Sequence, residues 1–171
     1  MPAGLKASSS VVAIGFNATE TGANTFQQEQ IDLNLSPLDR EVFVVLGINL
    51  DPFAPDSVAG TSSAVTCSLT TTSQTAVQQL SNSNCLAVAQ NAIRTHAAAT
   101  DSGAAFQTLG LETPPSMLDY IGIIATNDFF VQVKGTGNTS ARAVNGKMYG
   151  YRARASADIY AALVQSEVLS A

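Results

Sequence analysis

Period-two alternation of apolar and polar positions is the strongest signal along the chain. Between Gln27 and Leu35, the residues Ile31, Leu33 and Leu35 alternate with Asp32 and Asn34, which predicts a strand with one wet face. The stretch from Glu41 to Leu50 reads differently. Val42, Phe43, Val44, Val45 and Leu46 follow one another without a break, as in a strand covered on both faces. Asp51-Pro52-Phe53-Ala54-Pro55-Asp56 ends it, because proline removes a ladder donor and restricts the residue before it. Val65, Cys67 and Leu69 then point one way, and Thr66, Ser68 and Thr70 the other, predicting a half-buried strand with Cys67 inward.

From 74 to 99 two readings stand side by side. Leu86, Ala89, Ile93 and Ala97 fit a helical stripe capped by Asn84, while the β-branched residues and short apolar runs fit strands. The segment from Thr100 to Met117, with Asp101-Ser102-Gly103, Gly110 and Pro114-Pro115, is predicted as loop. The runs Asp119 to Ala125 and Phe129 to Lys134, joined by Thr126-Asn127-Asp128, predict a tight hairpin. A turn at Gly135-Thr136-Gly137-Asn138 leads to a last strand ending Lys147 to Ala155. There Tyr149, Tyr151, Ala153 and Ala155 share one face and Arg152 and Arg154 the other. A short helix closes the chain, with Ser156 as N-cap, Asp158 in the first turn, and Ile159, Leu163 and Val164 as its stripe beside Tyr160. Strands at this spacing predict an all-β chain, an antiparallel β-sandwich with a C-terminal helix, in one domain spanning 1–171.

Composition adds a constraint. Only 12% of residues are charged, against about 25% in an ordinary soluble domain. Ser, Thr, Asn and Gln supply nearly a third of the chain instead, and 46% of residues are apolar, which excludes disorder. Cys67 and Cys85 are read as free or as one optional disulfide. The run Val11 to Phe16 is too short for a signal-peptide core, and no run approaches the roughly 20 apolar residues of a bilayer span. The expectation is a product made in a host cytoplasm, without signal peptide or membrane insertion. Asn17, Asn34 and Asn138 begin glycosylation sequons that arise by chance in so Asn- and Thr-rich a chain.

Candidate chemistry is sparse. His96 is the one histidine, and a Cys85/His96 nucleophilic pair lacks both a local signature and a third orienting group. Neither a G-x-S-x-G elbow nor a phosphate-binding glycine loop occurs. Asp101-Ser102-Gly103-Ala104 resembles the active-site loop of retroviral-type aspartic proteases. A single copy implies a dimer whose two carboxylates share a proton, but the small residues Ala97-Ala98-Ala99 stand where that family has larger aliphatics. Asp51 and Asp56 flank a proline loop as a weak calcium pair, and no His pair or CxxC offers metal-ligand spacing. No catalytic residue, cofactor or metal is therefore expected.

The charge layout is more informative. Glu20, Glu29, Asp32, Asp39, Glu41, Asp51 and Asp56 share the 20–56 segment with Arg40 alone, whereas Lys134, Arg142, Lys147, Arg152 and Arg154 occupy 134–154 with no acid. Nucleic-acid binding is disfavoured, since Tyr149 and Tyr151 point away from Arg152 and Arg154 and the whole chain carries −5. The expected partner is the chain itself. Lys134, Arg142, Lys147, Arg152 and Arg154 form one candidate interface, meeting Asp51 and Asp56 either within a subunit or across to the next.

In its short strands, its Gly- and Asn-containing turns and the closing strand Tyr149-Gly150-Tyr151-Arg152-Ala153-Arg154, the chain resembles single jelly-roll viral coat proteins. That resemblance implies a virion location and self-assembly of many copies into an icosahedral shell, alongside other virion proteins. One departure is that residues 1 to 30 hold only Lys6 where many such proteins have an Arg-rich arm, which points away from direct genome contact. A phage-head decoration or cement protein, or a tail protein, is the alternative within that class. A carbohydrate- or surface-binding β-sandwich module is the alternative outside it, followed by the dimeric aspartic protease using Asp101.

Overall fold

The structure, a computed structural model, describes residues 2–96, 103–108 and 118–170. The strands among them are β1 (Leu5–Ala7), β2 (Val12–Thr19), β3 (Gln27–Asp32), β4 (Glu41–Pro52), β5 (Ser63–Thr70), β6 (Cys85–Thr95), β7 (Gly103–Thr108), β8 (Gly122–Ile124), β9 (Asp128–Thr136) and β10 (Ala143–Ala155). Helix α1 (Ala157–Leu169) follows. Every strand pairing is antiparallel, in two sheets.

In the first sheet β10 lies between β4 and the end-to-end pair β1 and β2, with β8 beyond β4; the second runs β3-β9-β5-β6-β7. The pairs β2·β10, β3·β9, β4·β8 and β5·β6 nest inside one another like the rungs of one long hairpin. Rolling that hairpin lays β10 on β4 and β9 on β5 and produces two facing sheets, the jelly roll. The β-sandwich expected from the alternation is therefore present, with jelly-roll connectivity.

Inward residues of both sheets make the main core, including Phe16, Phe43, Ile48, Val65, Leu69, Phe129, Val131 and Met148. Phe16 of one sheet meets Phe129 of the other edge to face, with centroids 5.5 Å apart. The unbroken apolar run in β4 has its explanation in a third layer. Phe43 and Val45 face the sandwich, while Val42 and Val44 face outward beneath α1, together with Ala125, Ala153 and Ala155. Ile159, Tyr160, Leu163 and Val164 of α1 cover them, which is the stripe the sequence predicts. Leu46 is the extra residue of a bulge opposite Tyr149 and Gly150. Gly150 allows that close approach, since a β-carbon there would collide with the Val44 carbonyl and the Phe43 ring.

Several expectations are corrected. The runs around Asp119 to Ala125 and Phe129 to Lys134 are not a hairpin, because β8 joins the first sheet and β9 the second. The connecting corner is held from afar: Asn127 accepts the Leu33 N–H at 2.7 Å through its carbonyl and the Leu35 N–H at 2.6 Å through Oδ1. Residues 85–95 are strand, and Asn84 caps no helix; its amide donates to Thr72 Oγ1 at 2.9 Å. Part of the predicted loop from Thr100 to Met117 is strand β7, whose six residues are all exposed, so pairing to β6 rather than burial creates it. Strand β3 ends at Asp32, although Leu33 and Leu35 are buried as predicted. Strand β5 is not half wet, because Ser68 and Thr70 on its outer face are as buried as Cys67.

The optional disulfide is also excluded. Both thiols are free. In the β5–β6 register Cys67 faces Ala89 and Cys85 faces Thr70. The two cysteines are thus offset by three positions, about 10 Å, where a bridge needs Cα atoms within about 7 Å. Burial pushes the Cys67 thiol up to about 12 and the Cys85 thiol up to about 11. Neither should react with a thiol reagent at pH 8 in the folded protein, and both should react after denaturation. Rapid labelling of the native protein would show that this part of the core is open.

Candidate functional site

Three networks of polar side chains stand out among the described residues. At the end of the sandwich where β4 finishes, Glu20 continues the inward face of Phe16 and Ala18 and is only 3% exposed. Its carboxylate accepts the Gly135 N–H at 2.6 Å and the Arg142 N–H at 2.8 Å. Next to it, Asp56 accepts the Thr139 N–H at 2.9 Å and hydroxyl at 2.8 Å, and pairs with the Arg142 guanidinium. The Thr139 donors and that guanidinium hold the Asp56 carboxyl far below its usual 3.8. Its contribution to stability is therefore present above pH 3.8 and fades only in strong acid. Asn138 completes the clamp, accepting the Asp56 N–H at 2.8 Å and donating to the Ala64 carbonyl at 2.9 Å. This buried amide has no freedom to take a glycan.

The second network fastens α1. Glu167 lies on the same face as Ile159 and Leu163, two turns on, and is buried. Its carboxylate accepts the N–H groups of Ala125 at 2.9 Å and Thr126 at 3.1 Å, and the Thr126 hydroxyl at 3.2 Å. Asn84 donates to the Glu167 carbonyl at 3.4 Å. Burial raises the Glu167 carboxyl above its usual 4.5, the donors opposing that shift only in part. A raised folded value means stability that is complete below pH 4.5 and lost as pH rises through the folded titration. Glu167→Gln should remove that part of the pH–stability profile. Glu167→Ala should cost about 1–3 kcal/mol by leaving two backbone donors without a partner. Thermal melts of the three proteins between pH 4 and 8 check both; superimposable profiles for Glu167→Gln and the parent would contradict the assignment.

The third network lies on the outer face of β5 and β9. Gln132 donates to Thr70 Oγ1 at 2.7 Å and to Gln28 Oε1 at 3.0 Å, and accepts the Ser68 hydroxyl at 2.7 Å. The chain after β5 folds over them, with the Gln78 N–H on Ser68 Oγ at 3.0 Å and the Gln74 N–H on Gln28 Oε1 at 2.8 Å. Neutral amides and hydroxyls satisfy one another here without the desolvation cost of buried ions.

None of the three networks places a carboxylate against a nucleophile or base; each holds loops. Cys85 and His96 sit at opposite ends of β6, roughly 36 Å of strand apart, which removes the nucleophilic pair. The Asp101 carboxylate lies outside the described residues. Among the described residues no group of three or more His, Cys, Asp or Glu is placed to hold a metal ion. Asp51, exposed on β4 opposite Asn145, and Asp56, engaged with Arg142, form no pair. No helix among the described residues is long and apolar enough to cross a membrane.

The basic residues that cluster in sequence are dispersed in space. Lys134 is exposed on the second sheet and Lys147 on the first. Arg142 belongs to the loop clamp, where it also donates to the Ala54 carbonyl at 3.1 Å. At the other end Arg152 donates to the Leu33 carbonyl at 2.8 Å, and Arg154 lies 3.8 Å from Asp39. Glu20, Glu167, Asn138 and Gln132 carry the polar architecture; in the sequence Glu20 stands out only as one of a cluster of acids and Asn138 only as a turn and sequon residue, and Glu167 and Gln132 do not stand out at all. Two had a signal: Glu20 and Glu167 each extend an otherwise apolar inward stripe.

No family profile matches the chain, and no curated protein matches it in sequence. A solved structure from Desmodium yellow mottle tymovirus overlaps 86% of this chain and 90% of its own, at 12% identity and a TM-score of 0.34. The jelly-roll connectivity follows from the strand pairings.

Proposed function

We propose that this chain is a virion structural protein, a coat subunit that assembles with copies of itself into a shell and performs no catalysis. The observation that carries the reading is where the jelly roll puts its ionic groups. Arg142, Asp56, Glu20 and Glu167 tie loops and helix to the sandwich and do not gather around one common cavity, in a chain of which only 12% of residues are charged. Jelly rolls serve in viral capsids, and also in lectins and cupins. A cupin-type metal centre has no ligand cluster among the described residues. A lectin platform would rest on exposed aromatics; the chain has no Trp, Tyr151 and Tyr160 pack against the helix layer, and Phe53, Phe106, Tyr120 and Tyr149 are the aromatics exposed among the described residues.

Neutral polar surface suits repeated subunit contact, because it desolvates at lower cost than charge and forms hydrogen bonds with its neighbour. The candidate contact residues remain Lys134, Lys147, Arg152, Arg154 and Asp51, with Arg142 and Asp56 acting by shaping the loops between them. Sedimentation velocity across protein concentration and salt tests the reading. Species far larger than the monomer are expected to grow with concentration, whereas a monomer under all conditions defeats the proposal.

A further inference from the structure

Helix α1 leaves part of the outer face of the first sheet bare. It covers Val42, Val44, Ala153 and Ala155. Farther along the same strands, the register sets Lys147 between Gly15 and Asn49, and Asn145 between Asn17 and Asp51. Residues directly opposite one another share a face of the sheet, and all six of these are exposed.

Two features of this bare surface point to a second copy of the chain. Its charged residues are Lys147 and Asp51, one of each sign, and neither forms an ion pair among the described residues. One strand and two residues apart, they lie about 8 Å from each other. A polyanion or a polycation would satisfy one of them and be repelled by the other. A second copy satisfies both, because the two-fold rotation that brings Lys147 to a neighbour's Asp51 also brings Asp51 to that neighbour's Lys147. The other feature is Gly15, in the middle of β2, where the pairing to β10 runs without a bulge. Its backbone is not in the left-handed region, and a β-carbon there would meet nothing within 4 Å. Glycine weakens a strand interior, so one that neither a bulge nor internal crowding requires marks a place where another backbone comes close from outside.

We infer that this face packs against the same face of a second copy about a two-fold axis, with Lys147 of each copy on Asp51 of the other and Gly15 allowing the close approach. The contact rests on the assembly reading above and is one interface within it. Being isologous, it closes a pair of subunits, and the shell needs further contacts elsewhere on the molecule.

Three variants of the full chain test it. Asp51→Lys and Lys147→Asp, made separately, each set like charges against one another across the contact. Both positions are exposed, so neither variant should unfold the protein, and circular dichroism checks this. Sedimentation velocity should show self-association weakened about tenfold or more in each. An equimolar mixture of the two restores both pairs of opposite charge, and should form one-to-one pairs more strongly than either variant alone. Gly15→Thr should keep or raise the melting temperature, because threonine favours strands and the space is open, while weakening association. Either charge variant assembling like the parent overturns the inference and leaves the assembly reading standing. A mixture that associates no better than its components overturns the reciprocal pairing, and Gly15→Thr assembling like the parent overturns the close packing of the two faces. Parent assemblies in which Lys147 reacts with an amine reagent as fast as in the monomer leave this face to another partner and also overturn it. A parent protein that never associates overturns both readings together.

Discussion

Replacing Phe129 with alanine is expected to cost about 3–5 kcal/mol, a large part of the roughly 5–15 kcal/mol that holds a domain together. Phe129 is fully buried where β9 begins and touches Phe16 of the opposite sheet edge to face. Truncation removes apolar burial and opens a cavity between two sheets that cannot close independently, since each is fixed by its own ladder. For a chain of this size the melting temperature should fall by about 10 °C. Phe53→Ala, at a half-exposed position, should change stability by no more than about 0.5 kcal/mol. Denaturant unfolding of both variants measures the contrast, and a loss below about 1 kcal/mol for Phe129→Ala would mean the sheets do not pack through this pair.

Glu20→Ala should come next, at about 2–5 kcal/mol. The side chain is buried, and its two oxygens are the acceptors for the backbone donors of Gly135 and Arg142. Bonds to an ionised group are among the stronger ones in proteins, and removing the acceptor leaves both donors buried without water. The Arg142 backbone lies beside the guanidinium that holds Asp56, so the whole loop end should loosen. Hydrogen exchange should report faster amides at 135–142, with the opposite end of the sandwich unchanged. Glu20→Gln, which keeps one acceptor, should recover part of the loss. Equal stability of Glu20→Ala and the parent would contradict the clamp.

The alternation made most of the sandwich legible. Strands β4, β5 and β10 and the stripe of α1 lie where the period of apolar residues places them, because each is specified by what its own neighbours in sequence bury. What stayed hidden depends on residues far away in the chain. Thr126-Asn127-Asp128 has the composition of a hairpin turn, and only the bonds from Leu33 and Leu35 to Asn127 show that it is a corner between sheets. Ser68 and Thr70 read as wet, and the segment carrying Gln74 and Gln78 buries them. Strand β7 has no burial to write a pattern into its sequence. The clamp around Glu20 was half legible: its parity with Phe16 and Ala18 is local, whereas its partners at Gly135 and Arg142 lie more than a hundred residues on. The basic stretch from Lys134 to Arg154 reads as one patch in sequence, and the two sheets divide it.

Self-assembly is the central claim, and negative-stain electron microscopy of the purified protein tests it most directly. The account predicts regular closed or tubular particles built from repeated subunits. A field of isolated monomers at high concentration, at both low and high salt, would contradict it.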